Sequence, residues 1–403
     1  MATTRTNRSP GSSNRAGTFR KTSSGGETYY TFYPKALPPD PPLLIEASTQ
    51  ELLDTANQAL GRLDGITLLL PDPDQFLYAY IRKEAVLSSQ IEGTQSSLSD
   101  LLLFEHDITP GVPIEDVRET SNYIRAMDHG LSRMREGFPL SLRLLTEVHG
   151  LLLQRGRGRE RAPGEFRRSQ SWIGGSRPGN ARYVPPPSNE VLPTMGALEK
   201  FLHDDPIATP ILVKAALGHA QFETIHPFLD GNGRVGRLLV TLLLCAEEKV
   251  LSRPLLYLSS YLKENRDEYC ARLQRIRTHG EWEKWLVFFL NGVVDVARSA
   301  TETTRSIVTL IEQDRQRILE LGRAAGSASQ LHQLLAREVV FAIPRAAKST
   351  GLSEVTVAKA AAHLERLGIA TEVTGRSRNK LFVYSGYLAL LQEGTGGAQG
   401  STE

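Results

Sequence analysis

Within one short stretch the chain places His226, Asp230, Gly231, Asn232, Gly233, Arg234 and Arg237, flanked on both sides by strongly apolar segments. Such a mixture serves packing poorly and an anion well. Glycines at 231 and 233 let the backbone turn tightly and come close to a ligand, and the helix that begins near Arg234 leaves its first N–H groups free to bind negative charge. Arg234 and Arg237 lie three apart, on one face of that helix's first turns, where their charge opposes the helix dipole unless an anion is bound. Asp230 stands just outside this positive site. It is placed to hold a magnesium ion, which binds through one or two carboxylates together with substrate phosphates. His226, four residues upstream, can serve as a general base at neutral pH. An anion cradle, a hard-metal ligand and a base point together to phosphoryl or nucleotidyl transfer.

The run from His226 to Arg237 resembles the signature of the Fic family, His-x-Phe-x-(Asp/Glu)-Gly-Asn-Gly-(Arg/Lys)-x-x-Arg, at every defining position. The resemblance implies an adenylyltransferase that moves AMP from ATP to a Ser, Thr or Tyr hydroxyl of a target protein. In it His226 takes the hydroxyl proton and Asp230 holds Mg2+. Asn232 and the backbone of Gly231 and Gly233 cradle the α- and β-phosphates, Arg234 holds the leaving pyrophosphate, Arg237 the γ-phosphate, and Phe228 anchors the loop. Upstream, Ser88, Glu92 and Gly93 match the family's inhibitory motif, (Ser/Thr)-x-x-x-Glu-(Gly/Asn). Ser88 and Glu92 share a helix face and Gly93 suits the helix end. The resemblance implies that Glu92 pairs with Arg237 and denies it to the γ-phosphate. It also implies that the segment Ser169 to Pro187 is a flap on which an extended target docks by strand pairing, through Trp172, Ile173, Tyr183 and Val184. Tyr261, or Tyr257, is expected to line the adenine pocket.

These residues need a helical body to position them. Apolar residues recur at helical spacing over Thr49–Leu60, Phe76–Glu92, Leu98–Phe104, Leu192–His203, Thr209–Glu223, Gly233–Glu247, Tyr257–Arg277 and Glu281–Arg298, and a polar-faced helix is expected from Thr301 to Leu321. The flap is the exception, two β-prone runs around a Gly/Pro/Asn turn. Arg157, Arg159 and Arg182 read as solvated loop charges. After Gly326 the order becomes helix, Gly351-Leu352-Ser353 turn, helix and two β-prone runs joined by the basic turn Gly375–Lys380, the pattern of a winged helix-turn-helix. The expected fold is therefore mainly α: a Fic-type helical bundle with a β-hairpin flap, plus a C-terminal winged helix. Its divisions are a disordered basic tail (1–28), an N-terminal helical region with the inhibitory helix (29–120), the catalytic core (121–300), a connecting helix (301–322), the winged helix (323–392) and a flexible tail (393–403).

Bulk properties bound the rest. With 403 residues, several domains are the expectation. A formal net charge of +2 points to no particular partner, and Cys245 and Cys270 form neither a metal-binding pair nor a disulfide framework. No apolar run approaches the ~20 residues of a membrane span, and a cytoplasmic setting is expected. The basic wing with Arg376, Arg378 and Lys380, and a recognition helix with Thr356 and Lys359, leave DNA binding and protein docking both open. Self-modification and homodimerisation stay open too. Rival functions are another Fic reaction (UMP or phosphate transfer, or removal of AMP) and a nucleotide-sensing DNA-binding regulator.

Overall fold

A computed structural model describes residues 13–67, 73–106, 108–246, 251–376 and 380–392. It begins with a sheet that the sequence reading did not expect. Strands β1 (Ser13–Asn14), β2 (Gly17–Ser24) and β3 (Glu27–Pro34) run antiparallel in the order β1-β2-β3. The expected disordered tail is therefore corrected from Ser13 onward. Abundant Arg, Ser and Thr suggested disorder, but Gly25-Gly26, both at positive φ, form the two-residue turn that a tight hairpin demands. On the inward face Phe19 lies against Phe32, ring centroids 4.8 Å apart. A side chain on Gly17 would strike the Phe32 ring, so the hairpin closes only around glycine there.

The body is mainly helical. Its elements are α1 (Ala47–Thr67), α2 (Pro73–Ile91), α3 (Leu98–Glu105), α4 (Ile114–Arg135), α5 (Leu142–Leu152), α6 (Ser188–Leu202), α7 (Ile211–Ile225), α8 (Asn232–Ala246), α9 (Ser259–Glu264), α10 (Arg266–His279) and α11 (Trp282–Leu319). Helix α7 is buried on all sides from Leu212 to Ile225, as an apolar-all-round helix must be. It packs on α8, α6 and α11, and α4 and α5 pack on each other and on α8. Trp285 of α11 donates its indole N–H to the Ala216 carbonyl at 2.7 Å, satisfying the buried ring nitrogen.

The two helices expected at Glu281–Arg298 and Thr301–Leu321 are one. Polar residues at 301–305 weakened the apolar pattern, yet the buried Thr301 and Thr304 hydroxyls donate back to the Ala297 and Ala300 carbonyls (2.8 and 2.7 Å) and leave the helix unbroken.

A C-terminal unit follows α11: α12 (Ala325–Glu338), β4 (Val340–Ala342), α13 (Ile343–Thr350), α14 (Glu354–Arg366), β5 (Ala370–Glu372), β6 (Leu381–Tyr384) and α15 (Ser385–Gln392). Its sheet has the order β4-β6-β5, all antiparallel. Gly351, at φ 73°, turns the chain between α13 and α14, and Ser353 caps α14 by accepting from the Thr356 N–H. The unit is fastened to α11 through Asp314, which is buried, accepts from the Tyr384 hydroxyl at 2.8 Å and pairs with Arg317 at 2.7 Å. Helices α12 and α15 also pack against α2. Of the basic wing residues, Arg378 lies outside the described residues, as does the tail after Gln392.

Candidate active site

His226 is the C-cap of α7 and takes the left-handed conformation, φ 50° and ψ 62°, uncommon for a residue with a side chain. Its own N–H bonds the Phe222 carbonyl at 2.9 Å, closing the helix. Arg167 holds it from the other side. That guanidinium is 2% exposed and donates only to carbonyls: His226 at 2.8 Å, Pro186 at 2.5 Å, Ile225 at 3.3 Å and Ser169 at 3.2 Å. One cation therefore joins the base's backbone to the flap. Burial pushes the His226 imidazole down to about 3, and the Arg277 and Arg167 charges add to the fall. At neutral pH the ring is neutral and can accept a proton, and its Nδ1 has no partner.

The loop that follows is rigid because its own side chains bond its backbone. Asn232 Oδ1 accepts from the Phe228 N–H at 2.9 Å and its Nδ2 donates to the Phe228 carbonyl at 2.8 Å. Both ends of that amide thus brace the loop, and the second Nδ2 hydrogen is left over for a ligand. Phe228 is fully buried, stacked on His149 with centroids 3.7 Å apart. The His149 Nδ1 accepts from the Gly164 N–H at 2.9 Å, so the proton sits on Nε2, which donates to the Asp230 carbonyl at 3.1 Å. Burial lowers this ring to about 4 and keeps it in that neutral form.

At the start of α8, Arg237 is buried and held by three hydrogen bonds. Its Nε donates to Ser88 Oγ at 2.8 Å, and one terminal nitrogen donates to the Ser88 carbonyl at 2.9 Å and to Glu92 Oε1 at 2.8 Å. The expected trio of Ser88, Glu92 and Gly93 is thus brought to the signature. Glu92 follows the last residue of α2, and Gly93 at φ 99° turns the chain away. A Cβ on Gly233 would overlap Glu92 Oε1, so the carboxylate lies directly over the helix N-terminus where an anion would sit. Burial opposes its ionisation, but the Arg237 charge and hydrogen bond, with Arg234 and His226 behind them, hold its carboxyl below the ordinary value.

Arg234 pairs with the buried Glu119 at 3.2 Å, and its Nε, also buried, has no partner. Glu119 in turn accepts from Arg157 at 2.6 Å. Arg157 also bonds Asp116 at 2.8 Å, and Asp116 accepts the Gln95 N–H at 2.7 Å. This chain of charges ties the segment just after Glu92 to the signature. It also corrects the reading of Arg157 as a solvated charge: half its surface is wet, yet its head group sits between two buried carboxylates.

Asp230 carries a half-exposed carboxylate whose Oδ1 accepts the Gly231 N–H at 2.6 Å and lies 3.7 Å from Arg234. A Cβ on Gly158 would come within 2.7 Å of its Oδ2, so glycine keeps that oxygen reachable. One hard oxygen beside a positive anion cradle fits magnesium held jointly with phosphates. Among the described residues no group of three or more His, Cys, Asp or Glu could hold a metal alone.

Two expectations are corrected by position. The flap is reduced to a single bridge between Ile173 and Tyr183 around a short turn at Pro178–Asn180. Tyr183 and Val184 face inward: the Tyr183 hydroxyl donates to the Thr224 carbonyl at 2.6 Å, its ring lies under Arg277, and the Val184 carbonyl accepts from the Phe32 N–H of β3 at 3.0 Å. Both are buried, whereas Trp172 is 40% exposed and Ile173 partly so. Tyr261 is not at the signature either. It lines a separate cavity with Tyr80, Glu84 and Tyr257 that includes no residue from His226 to Arg237.

Buried titratable groups beneath the loop escaped sequence reasoning as well. His219 donates from Nδ1 to the Gly236 carbonyl and accepts the Tyr269 hydroxyl, both at 2.9 Å, in the neutral form that burial enforces. Glu223 packs against Gly236 and is pushed by burial up to about 7.

A helical bundle that presents a neutral base, a rigid glycine loop at a helix N-terminus and two buried arginines makes a site suited to an anion beside a proton acceptor. The family model described as Fic/DOC family N-terminal matches residues 50–132, and that described as Fic/DOC family matches residues 139–244. Over these spans the chain is similar to the Fic/DOC family. A crystal structure of a Fic family protein from Desulfovibrio desulfuricans G20 shares the fold, with a TM-score of 0.56 and 20% identity, covering 85% of this chain and 97% of that one. Protein adenylyltransferase Fic of Drosophila erecta is 30% identical over 157 residues, 38% of this chain and 30% of that protein. Its counterpart from Drosophila yakuba is 31% identical over the same length. The chain thus spans under a third of the length of these relatives. Among the described residues no helix is long and apolar enough to cross a membrane.

Proposed function

We propose that this protein is an adenylyltransferase that moves AMP from ATP onto a Ser, Thr or Tyr hydroxyl of a target protein and is held back by Glu92. The observation that carries the reading is the Glu92 carboxylate lying between Arg237 and Gly233, in the place where the helix and both arginines favour phosphate. The relatives named adenylyltransferase support the nucleotide. In the step itself, the target's hydroxyl oxygen bonds to the α-phosphorus, the bond from that phosphorus to the α–β bridging oxygen breaks, and pyrophosphate leaves. The hydroxyl proton passes to the neutral His226 ring, which Arg167 and the Asn232-clamped loop hold in place. Arg234, with its unpartnered Nε, and Arg237, once freed of Glu92, hold the departing phosphates. Asp230 would hold magnesium, which when bound neutralises phosphate charge. Trp172 and Ile173 are the flap residues left for a target to meet, since β3 already covers the Val184 side. The C-terminal unit reads as a winged helix from its element order and sheet, serving as a docking or DNA-binding module.

The test uses ATP labelled at the α- or, separately, the γ-phosphate. Wild type, Glu92→Gly and Glu92→Gly/His226→Ala are incubated with each, following label into protein. Label from the α position alone, strongest in Glu92→Gly and absent in the double variant, is expected. Label from the γ position would mean phosphate transfer and would overturn the reading.

A further inference from the structure

Next to the signature, one turn along α2 from Ser88, α2, α9 and α11 line a cavity of about 370 Å3. Its walls include Tyr80, Glu84, Tyr257, Tyr261, Glu264 and Asp295. Glu84 is 1% exposed. Its Oε1 accepts from Ser259 Oγ at 2.5 Å and from the Tyr123 hydroxyl at 3.1 Å, but its Oε2 has no partner. A carboxylate oxygen removed from water without a donor is costly, so a donor at that spot would be strongly favoured. Among the lining residues three carboxylates, Glu84, Glu264 and Asp295, stand against one lysine, Lys83, with Arg237 behind Glu84 as a second cation, so the lining's own charge favours a cation. Tyrosine rings form much of the remaining wall, Tyr80 and Tyr257 with centroids 5.3 Å apart. Aromatic faces and carboxylates both attract an organic cation, while a bare metal ion would want a closer set of oxygens.

We propose that this cavity binds a small organic amine, its ammonium donating to Glu84 Oε2 and its apolar body lying against Tyr80, Tyr257 and Tyr261. The volume falls in the range of small-molecule sites. Glu84 and Leu87 sit within one turn of Ser88, on the helix that delivers Ser88 and Glu92 to Arg237. An amine bridging α2 to α9 and α11 holds that helix in place and so deepens inhibition. This consequence rests on the adenylyltransferase reading; the binding does not.

The test is calorimetry on the full chain with 2-phenylethylamine, and with 2-phenylethanol as the uncharged control. It is run at pH 8, above the value of about 7 to which burial lifts Glu84. One saturable site is expected for the amine, with the alcohol at least about 10-fold weaker, the worth of a charge-assisted bond. Ser299→Trp, on an exposed wall position of α11, fills the cavity and abolishes binding without changing the melting temperature. Asp295→Asn, also exposed, weakens it. Binding that is absent at about 10 mM amine, equal for the alcohol, or unaffected by Ser299→Trp overturns the proposal. The same amine added to the α-labelled ATP assay should lower self-labelling. Binding without that drop would overturn the regulatory link alone, and a wild type and Glu92→Gly that never label would count against the adenylyltransferase reading while calorimetry still judges the site.

Discussion

Replacing Glu92 by glycine removes a bond whose worth can be set from its surroundings. Arg237 is almost fully buried, 3% exposed at its side chain, while Glu92 is 38% exposed. A hydrogen bond to a charged partner contributes about 1.5–3 kcal/mol. Solvent at the Glu92 side screens part of this, which leaves roughly 1–2 kcal/mol. Because about 1.4 kcal/mol is tenfold in an equilibrium, freeing Arg237 should favour a competing phosphate by about 5- to 30-fold. Clearing the Gly233 helix end of Glu92 Oε1 adds to this, so the range is a lower bound. The substitution itself is mild. Glu92 lies just past α2, its N–H bond to the Ser89 carbonyl survives, and Ser88 still grips Arg237 twice. The loss of stability should stay under about 1 kcal/mol. The assay is the rate of label transfer from α-labelled ATP at subsaturating nucleotide, with a melting curve on each variant. A folded Glu92→Gly no faster than wild type would refute the argument. Glu92→Gln, which keeps the oxygen but not the charge, should fall between the two.

Other expectations rest on separate observations. Arg167→Met should cut labelling at least about 10-fold and destabilise by ~2–4 kcal/mol, since four carbonyls lose a buried donor; near-wild-type activity would remove the clamp from the account. Phe19→Ala, in the segment first read as disordered, should cost about 3 kcal/mol in denaturant unfolding, as for a core phenylalanine, and no loss would mean that the sheet bears no weight. Glu223 has a folded pKa raised to about 7, so its neutral form is the one the fold favours, and stability is lost as pH rises from the ordinary value through 7. Glu223→Gln should therefore raise the melting temperature more at pH 8 than at pH 5. His226, lowered to about 3, should give no acid limb to the rate between pH 6 and 8, and a limb near pH 6.5 would contradict its neutral burial.

The signature and the Ser88, Glu92 and Gly93 trio were legible because local spacing sets them: one turn of helix or one glycine loop fixes where each side chain goes. Partners set by long-range packing were not. Glu119 meets Arg234 from 115 positions away, and Arg167 meets His226 from 59. No periodicity in a sequence marks which buried charge will face which. Tyr183 was expected to meet a target, but its hydroxyl satisfies a backbone carbonyl instead, because a tight buried segment must pair its peptides before it can serve anything else. The N-terminal hairpin went unread for the opposite reason. Its polar residues face outward on a sheet whose inner face has few apolar side chains, so composition hid the alternation.

Helix α2 meets the signature through Ser88 and has α12 and α15 packed against it. It is a party wall. A chain cut after Leu321 would lose α12 and α15 and leave part of the inhibitory helix bare to water. Faster labelling by such a fragment would then report a slack wall and would say nothing about what the C-terminal unit recognises. The informative changes to that unit are those on its outer surface, such as Val355 or Val373, which leave the masonry behind Glu92 standing.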